Sequence, residues 1–230
     1  RAKIELIQRR DTHLDSLVDK LKEDRVKKVV QAIINGDNIV FDILDDDLAY
    51  LRDLGLISIS DPIEFANPIY NEIVPRIMSN PIQATIPKEI QPSVFEKEDG
   101  SLDMDLLFEK FQKFYRRNSE AWLDRYEYKE SAQHLLLMAF LQRIVNSGGE
   151  IVREMAVGNR RLDLLVRYKK YEYVLELKIH RDSYTLEDGQ EQLAGYLDKL
   201  GKKHGYLVIF DPRARSWDEK IFRKELEYEG

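Results

Sequence analysis

Several features are missing from this sequence, and each absence narrows the function. The 230 residues contain no cysteine, which excludes disulfides, thiolate metal sites and a thiol nucleophile. No window approaches the roughly 18 consecutive apolar residues of a membrane-spanning helix, so we expect no membrane partner. The first ten residues lack the apolar core of a signal peptide, and we expect a cytoplasmic protein. The chain does not begin with Met, and we expect it to be part of something longer.

The charge balance gives conflicting indications about nucleic acid. The net charge is -6 and the pI is about 5.4, which argues weakly against nucleic-acid binding because that binding depends on neutralising phosphates. Residues 158–181, however, contain seven basic and three acidic side chains. The total charge therefore does not exclude a local nucleic-acid contact.

The N-terminal part predicts a winged-helix-like domain over residues 1–80. Apolar periodicity and capping residues predict three helices, a two-stranded ribbon around Asp61-Pro62, and a closing helix that begins at Pro68 and ends near Met78. Three prolines, Pro81, Pro87 and Pro92, interrupt the next stretch. We therefore expect an extended linker over 81–95.

Residues 96–230 predict a second domain with a mixed sheet. The pattern predicts helices over 102–116, 119–126 and 129–146, a strand over 150–157, and a hairpin formed by RRLDLLVRY and YEYVLELKI. An amphipathic helix ending at Gly201 and a strand over 205–210 follow. This order of elements is typical of an α/β (α+β) domain with a central sheet.

The hairpin contains an unusual set of charges. If Lys169 and Lys170 form a two-residue turn, Asp163 lies directly opposite Glu176, and Lys178 shares their face. Opposed carboxylates destabilise a sheet, whereas a divalent cation such as Mg²⁺ or Mn²⁺ makes the same pair favourable. Two interpretations stay open: a metal site suited to phosphodiester hydrolysis, or a surface hairpin with solvated charges. A register shift of one residue would remove the first.

Together these residues resemble the core of the PD-(D/E)XK nuclease superfamily. Asp163 and the Glu176-Leu177-Lys178 segment match its central motif, and Glu130 stands at the start of the helix before the first strand. Gln192 and Tyr196 resemble the Gln-xxx-Tyr element of RecB-like members. The turn from Gly158 to Arg160-Arg161 resembles the family's Gly-x-Arg-x-Asp entry, with one residue inserted.

The resemblance implies a restriction-endonuclease-like mixed β-sheet flanked by helices. It implies catalytic roles for Asp163, Glu176, Lys178 and Glu130, with Asp163 and Glu176 as the metal ligands. The basic pair Arg160-Arg161 is a candidate phosphate contact, against the alternative of simple solvation. Gln192 and Tyr196 are candidates to contact nucleic acid or to order the acids, with packing as the alternative.

Other assignments stay open at this point. Glu130 also suits the first turn of a helix for purely electrostatic reasons, and Gln133 or Glu154 could take its place in the site. His134 is interpreted as a core or boundary histidine rather than a ligand. His180 follows Lys178 closely and could reach a phosphate.

A further resemblance concerns the whole chain. YLRDLGLI followed by FANPIYNEIV is similar to the winged helix that follows the ATPase in certain archaeal and bacterial AAA-type ATPases. No GxxxxGK[ST] motif occurs here, so the resemblance implies an upstream ATPase domain. The function expected is metal-dependent hydrolysis of DNA, with a homodimer as a candidate assembly. The alternative is a non-catalytic regulatory, protein-interaction or DNA-binding module that retains the nuclease fold.

Overall fold

Two compact units divide the chain. The computed structural model describes residues 12–35, 39–123, 129–145, 149–157, 160–220 and 222–227. The first unit comprises Arg1–Asn80 with Ala121–Leu135, and the second comprises Pro81–Glu120 with Leu136–Gly230. The break after Asn80 coincides with the predicted end of the first domain. The assignment of 121–135 to the first unit was not predicted.

Helices dominate the first unit because apolar residues recur at helical spacing. Its helices are α1 (Thr12–Lys20), α2 (Asp24–Asn35), α3 (Asp46–Asp53) and α4 (Pro68–Gln83). On α2, Val26, Val30 and Ile33 recur at spacings of four and three, and all are buried. The Asp45 carboxylate caps α3 by accepting hydrogen bonds from the amides of Asp47 and Leu48 at 2.9 and 3.1 Å.

The predicted ribbon is present in a very short form. Ile57 and Phe65 form a single antiparallel bridge, and the Ser58 amide donates to the Glu64 carbonyl at 2.9 Å. The Ile63 amide donates to the Ile39 carbonyl at 2.9 Å, which ties the segment before α3 to the ribbon. The order of elements agrees with the sequence-based expectation, and their winged-helix arrangement stays a prediction.

The segment over 81–95 differs from the extended linker that we expected. The helix α4 continues through Pro81 to Gln83, and a one-turn helix, α5, spans Pro92–Phe95. Ile82, Ile86 and Phe95 are buried. Their apolar burial outweighs the helix-breaking tendency of the prolines, so the prediction of an extended linker is wrong for these parts.

An aromatic core supports the second unit. The helices that follow α5 are α6 (Met104–Leu123), α7 (Lys129–Val145), α8 (Thr185–Leu200) and the short α9 (Trp217–Lys220). The second unit contains α6 up to Glu120, α7 from Leu136, and all of α8 and α9. Phe140 on α7 lies 5.5 Å from Phe111 and 5.7 Å from Phe114 between ring centroids. The sequence had predicted two helices over 102–126; α6 instead runs unbroken from Met104 to Leu123, because no Gly or Pro interrupts it.

Four strands form one mixed sheet in the order β1-β2-β3-β4. They are β1 (Gly149–Val157), β2 (Arg160–Tyr168), β3 (Tyr171–Ile179) and β4 (Tyr206–Phe210). The first three pair antiparallel, and β4 pairs parallel with β3. The expectation of a mixed α/β fold is confirmed. No described helix combines the length and the apolar character needed to cross a membrane.

A turn over residues 96–102 holds the tip of the β2–β3 hairpin. Glu96 and Leu102 form an isolated bridge that closes the turn. The Tyr168 hydroxyl donates to the Glu96 carboxylate at 3.0 Å, and Lys169 forms an ion pair with the same carboxylate. The Leu102 amide donates to the Tyr173 hydroxyl at 2.5 Å. The three contacts between this turn and the hairpin join residues that lie more than 70 positions apart.

The helix α8 connects β3 to β4 and packs on the sheet. Leu193 and Tyr196 of α8 form a buried cluster with Leu165 of β2 and Val174 of β3. The helix ends at Gly201, whose φ of 62° is left-handed and suits glycine. This packing places α8 over the face of the sheet that contains the charged residues of β3.

Candidate active site

The register of the hairpin is the one that the two-residue turn predicts. Tyr168 pairs with Tyr171, and the recorded pairs continue to Leu164 with Leu175. Lys169 takes a positive φ of 54° in the turn. The same register extended by one residue places Asp163 opposite Glu176. The hairpin therefore does not have the one-residue register shift that would have placed Asp163 and Glu176 on opposite faces.

Asp163 marks the end of the recorded pairing between β2 and β3. Its Oδ2 atom accepts a hydrogen bond from the Leu177 amide at 2.8 Å. A side chain thus takes the place of a backbone carbonyl as the acceptor for this amide. Glu176 and Lys178 instead pair with Leu207 and Ile209 of β4. The site lies where the pairing of β3 with β2 on one edge ends and its pairing with β4 on the other edge continues.

Glu176 is a buried carboxylate with one satisfied oxygen. Its exposed fraction is 1%, and its Oε1 atom lies 2.7 Å from the Lys178 ammonium nitrogen. Its Oε2 atom is buried and makes no hydrogen bond to the residues that the structure describes. A buried acceptor without a donor is costly, so this atom is well suited to binding a cation or a proton.

The electrostatics of the pair favour such binding. Burial, followed by the negative charge of Asp163, raises the pKa of Glu176 to about 7, although the Lys178 ammonium acts in the opposite direction. At neutral pH the carboxyl is therefore partly protonated. A cation that replaces this proton would also relieve the repulsion from Asp163.

Gln192 and Tyr196 lie one turn apart on α8, but their surroundings differ. The Gln192 Oε1 atom accepts a hydrogen bond from Lys178 at 2.8 Å, so Gln192 helps to hold the ammonium beside Glu176. Tyr196 is 3% exposed and belongs to the buried cluster under α8. A direct contact of either residue with nucleic acid stays a prediction.

Three other candidate residues cannot be placed from their side chains. Glu130 lies on α7, and Arg160 and Arg161 lie at the start of β2; all three side chains are outside the described residues. The side chain of Glu154, the alternative to Glu130, is also outside the described residues, but the strand pairing gives its backbone position. The pairs Arg153 with Leu164 and Met155 with Leu162 bracket it, which sets position 154 opposite position 163.

The two histidines named by the sequence occupy different environments. His134 is buried on α7, in agreement with its interpretation as a core histidine. His180 follows β3, and its amide donates to the Phe210 carbonyl at 2.8 Å. This bond places His180 beside Asp211, whose pKa is held well below its usual range, chiefly by hydrogen bonds from Arg213. Sequence reasoning missed Asp211 and Arg213 because the β3–β4 register could not be read from a pattern.

The described donors fit a divalent cation in part. Two carboxylates, a buried Oε2 atom that accepts no hydrogen bond from the described part of the chain, and a nearby ammonium match what Mg²⁺ or Mn²⁺ and a phosphate require. No group of three or more Asp, Glu or His side chains that could hold a metal occurs within the described ranges. Water, or a side chain outside the described ones, would therefore complete the coordination.

Comparisons with known proteins leave the site to be interpreted on its own chemistry. No protein-family model matches the chain, and neither the curated proteins nor the solved structures gave a match.

Proposed function

We propose that the second unit is a metal-dependent phosphodiesterase that hydrolyses DNA. The observation that supports this most directly is the buried Glu176 carboxylate, with Lys178 on one oxygen and, among the described residues, no hydrogen bond to the other. Asp163 adds a second carboxylate on the same face, and a bound divalent cation makes two such neighbours favourable. The resemblance of these residues to PD-(D/E)XK nucleases supports DNA as the substrate.

Each residue has a separate task in this proposal. Asp163 and Glu176 would hold Mg²⁺ or Mn²⁺, which supplies Lewis acidity at the phosphate and lowers the pKa of a bound water. Lys178 lies within 2.7 Å of Glu176 and would offset charge at the scissile phosphate. Gln192 positions the Lys178 ammonium through their 2.8 Å hydrogen bond.

A non-catalytic module is the second candidate, and a specific contact favours it. Lys178 already neutralises Glu176, so the buried charges are partly compensated without a metal. A fold that had lost its activity could retain this ion pair as a structural element. In this candidate the unit would serve regulation or assembly, and its carboxylates would have no measurable affinity for a divalent cation.

Calorimetric titration with Mn²⁺ separates the two candidates. The nuclease proposal predicts binding to the wild-type chain and a loss of affinity of at least about 10-fold in Asp163→Asn and Glu176→Gln. Lys178→Met should retain Mn²⁺ binding because it leaves both carboxylates in place. The same variant should slow cleavage of branched, single-stranded or duplex DNA by roughly 100-fold, since it loses the cation at the phosphate.

Glu172→Gln is the matched control. Glu172 lies on the same strand and face as Glu176, but its carboxylate forms exposed ion pairs with Arg167 and Lys202 at 3.1 and 3.0 Å. The Glu172→Gln variant should bind Mn²⁺ and cleave DNA like the wild type. Absence of Mn²⁺ binding to the wild-type chain would reject the nuclease and support the non-catalytic module. Cleavage that survives in Glu176→Gln would assign the activity to another site.

We also propose a winged-helix arrangement for the first unit. The hydrogen bond between Ile39 and Ile63 and the bridge between Ile57 and Phe65 support it. Because α3 begins with Asp46 and Asp47, this unit is better suited to contact protein than DNA. Nuclear Overhauser contacts across both pairs in the full chain would test the arrangement.

A further inference from the structure

A tight turn in the first unit presents two large aliphatic side chains to solvent. The Asp45 amide donates to the Asp42 carbonyl at 3.1 Å, and the Leu44 amide donates to the Asp42 carboxylate at 2.8 Å. Ile43 and Leu44 occupy the two central positions and are 72% and 86% exposed. Gly, Pro, Asn, Asp and Ser are the usual residues there. The formation of the turn therefore does not explain why Ile43 and Leu44 occupy its central positions.

Further exposed apolar residues occur close to this turn in the chain and in the ribbon. Val40, three residues before Ile43, is 59% exposed, and Ile59 in the ribbon is 68% exposed. The Ile39–Ile63 hydrogen bond connects the two segments. We name Val40, Ile43 and Leu44 the 40–44 surface. Single exposed apolar residues are ordinary, but three within five consecutive positions of the chain favour an interaction site.

The chain segment that contains the 40–44 surface is mostly acidic. Residues 39–61 contain six Asp residues and a single basic residue, Arg52. Arg52 is already engaged, because its guanidinium lies 2.7 Å from the Asp53 carboxylate. The surface therefore combines exposed aliphatic side chains with a surplus of carboxylates.

This combination selects the class of partner. Carboxylates repel nucleic-acid phosphates and anionic lipid headgroups, so neither class complements the surface. A protein segment with several basic side chains around aliphatic ones satisfies both requirements, since interfaces place apolar anchors at the centre and charges at the rim. We propose that the 40–44 surface binds a basic, aliphatic protein segment. This inference is independent of the nuclease proposal.

The chain provides a probe with this chemistry. Residues 1–10, RAKIELIQRR, include four basic and one acidic side chain together with Ile4, Leu6 and Ile7. A fluorescein-labelled peptide of this sequence, and a second peptide of alternating Lys and Leu, serve as ligands for anisotropy titrations of the full chain. A peptide of alternating Glu and Leu has the same aliphatic content and the opposite charge.

Paired variants identify the surface. In Ile43→Ser/Leu44→Ser we expect at least about a 10-fold loss of affinity for the basic peptides, because these anchors supply the apolar contact. In Asp45→Asn/Asp46→Asn we expect weaker binding and a smaller dependence on salt. Leu226→Ser, which removes an exposed leucine of the second unit, should bind like the wild type. Circular dichroism should show all variants folded, since these substitutions are at exposed positions.

Three results would overturn the proposal. The first is that neither basic peptide binds, or that both bind equally to the wild type and to Ile43→Ser/Leu44→Ser. The second is that the Glu-Leu peptide binds as tightly as the basic peptides, which would leave charge with no role. The third is sedimentation showing self-association that Ile43→Ser/Leu44→Ser abolishes, which would assign the surface to a second copy of the chain.

Discussion

Glu176 combines deep burial with two charged neighbours of opposite sign. Its place opposite Asp163 could be predicted from the sequence, because strand alternation and a two-residue turn fix which positions face each other. Its degree of burial and the missing donor at Oε2 could not be predicted. Both depend on how α8 covers the sheet, which is a tertiary property.

The raised pKa of Glu176 predicts an unusual pH dependence of stability. The folded carboxyl, with a pKa of about 7, holds a proton that the unfolded carboxyl, with an ordinary value of 4.5, releases. Its stabilising contribution is therefore complete below pH 4.5 and is lost as pH rises through 7. Glu176→Gln stays neutral throughout. Urea unfolding in EDTA should show the variant gaining roughly 1–3 kcal/mol relative to the wild type across this range.

Glu172 provides a control of opposite sign on the same strand. A hydrogen bond from Lys202 and another from Arg167 lower its pKa in the folded chain. The stability that Glu172 contributes is therefore present above its ordinary pKa and lost as pH falls. Glu172→Gln should lose stability relative to the wild type as pH rises from acid to neutral. If the stabilities of Glu176→Gln and Glu172→Gln, relative to the wild type, changed in the same direction as pH rises, the raised pKa of Glu176 would be wrong.

At the scale of elements, α8 determines whether Lys178 reaches Gln192. The sequence predicted this helix and its end at Gly201 correctly, since the apolar period and the capping glycine are local signals. The prediction of an extended linker failed over 81–83 and 92–95, where the chain is helical despite its prolines. Burial of Ile82, Ile86 and Phe95 is a long-range effect, and no local pattern reports it.

Two glycines of α8 should respond to alanine in opposite ways. A Cβ atom at Gly189 would lie 2.8 Å from a Leu207 methyl carbon and 3.3 Å from Cγ of Lys178. Gly189→Ala should therefore force the Leu207 side chain or α8 to shift and lower the free energy of unfolding by roughly 1–3 kcal/mol. It should also weaken the hold of Gln192 on Lys178.

Gly195→Ala is the matched variant on the same helix. Apart from its own helix backbone and chain neighbours, no atom of the described residues lies within 4 Å of the Cβ position at Gly195, and alanine is the better helix former. Its free energy of unfolding should rise by roughly 0.5–1 kcal/mol. Denaturant unfolding of both variants tests the pair. A stable Gly189→Ala variant would show that the helix can move without cost.

At the scale of the molecule, the second unit depends on aromatic packing between helices distant in sequence. Phe140 is fully buried and contacts the rings of Phe95, Phe111 and Phe114. Phe140→Ala should lower stability by roughly 3–5 kcal/mol because it leaves a cavity among these rings. Thermal unfolding and amide exchange of the sheet would measure the loss.

Phe222→Ala is the control for this substitution. Phe222 is an exposed phenylalanine of the same unit, so its removal should change stability by less than about 0.5 kcal/mol. Equal effects of the two substitutions would show that the aromatic cluster is not the support of the unit. Both residues are phenylalanine, and the sequence alone could not show that Phe140 is buried and Phe222 is exposed.

The turn over 96–102 has a consequence for how the chain folds. The β2–β3 hairpin can close within microseconds because its turn is two residues long. Its tip, however, is bonded to Glu96 and Leu102, which lie 72 and 71 positions earlier in the chain than their hydrogen-bonding partners. Contacts between such distant positions slow folding, since a long loop must close before they form. During synthesis, residues 96–102 must therefore wait without their partners until the hairpin emerges.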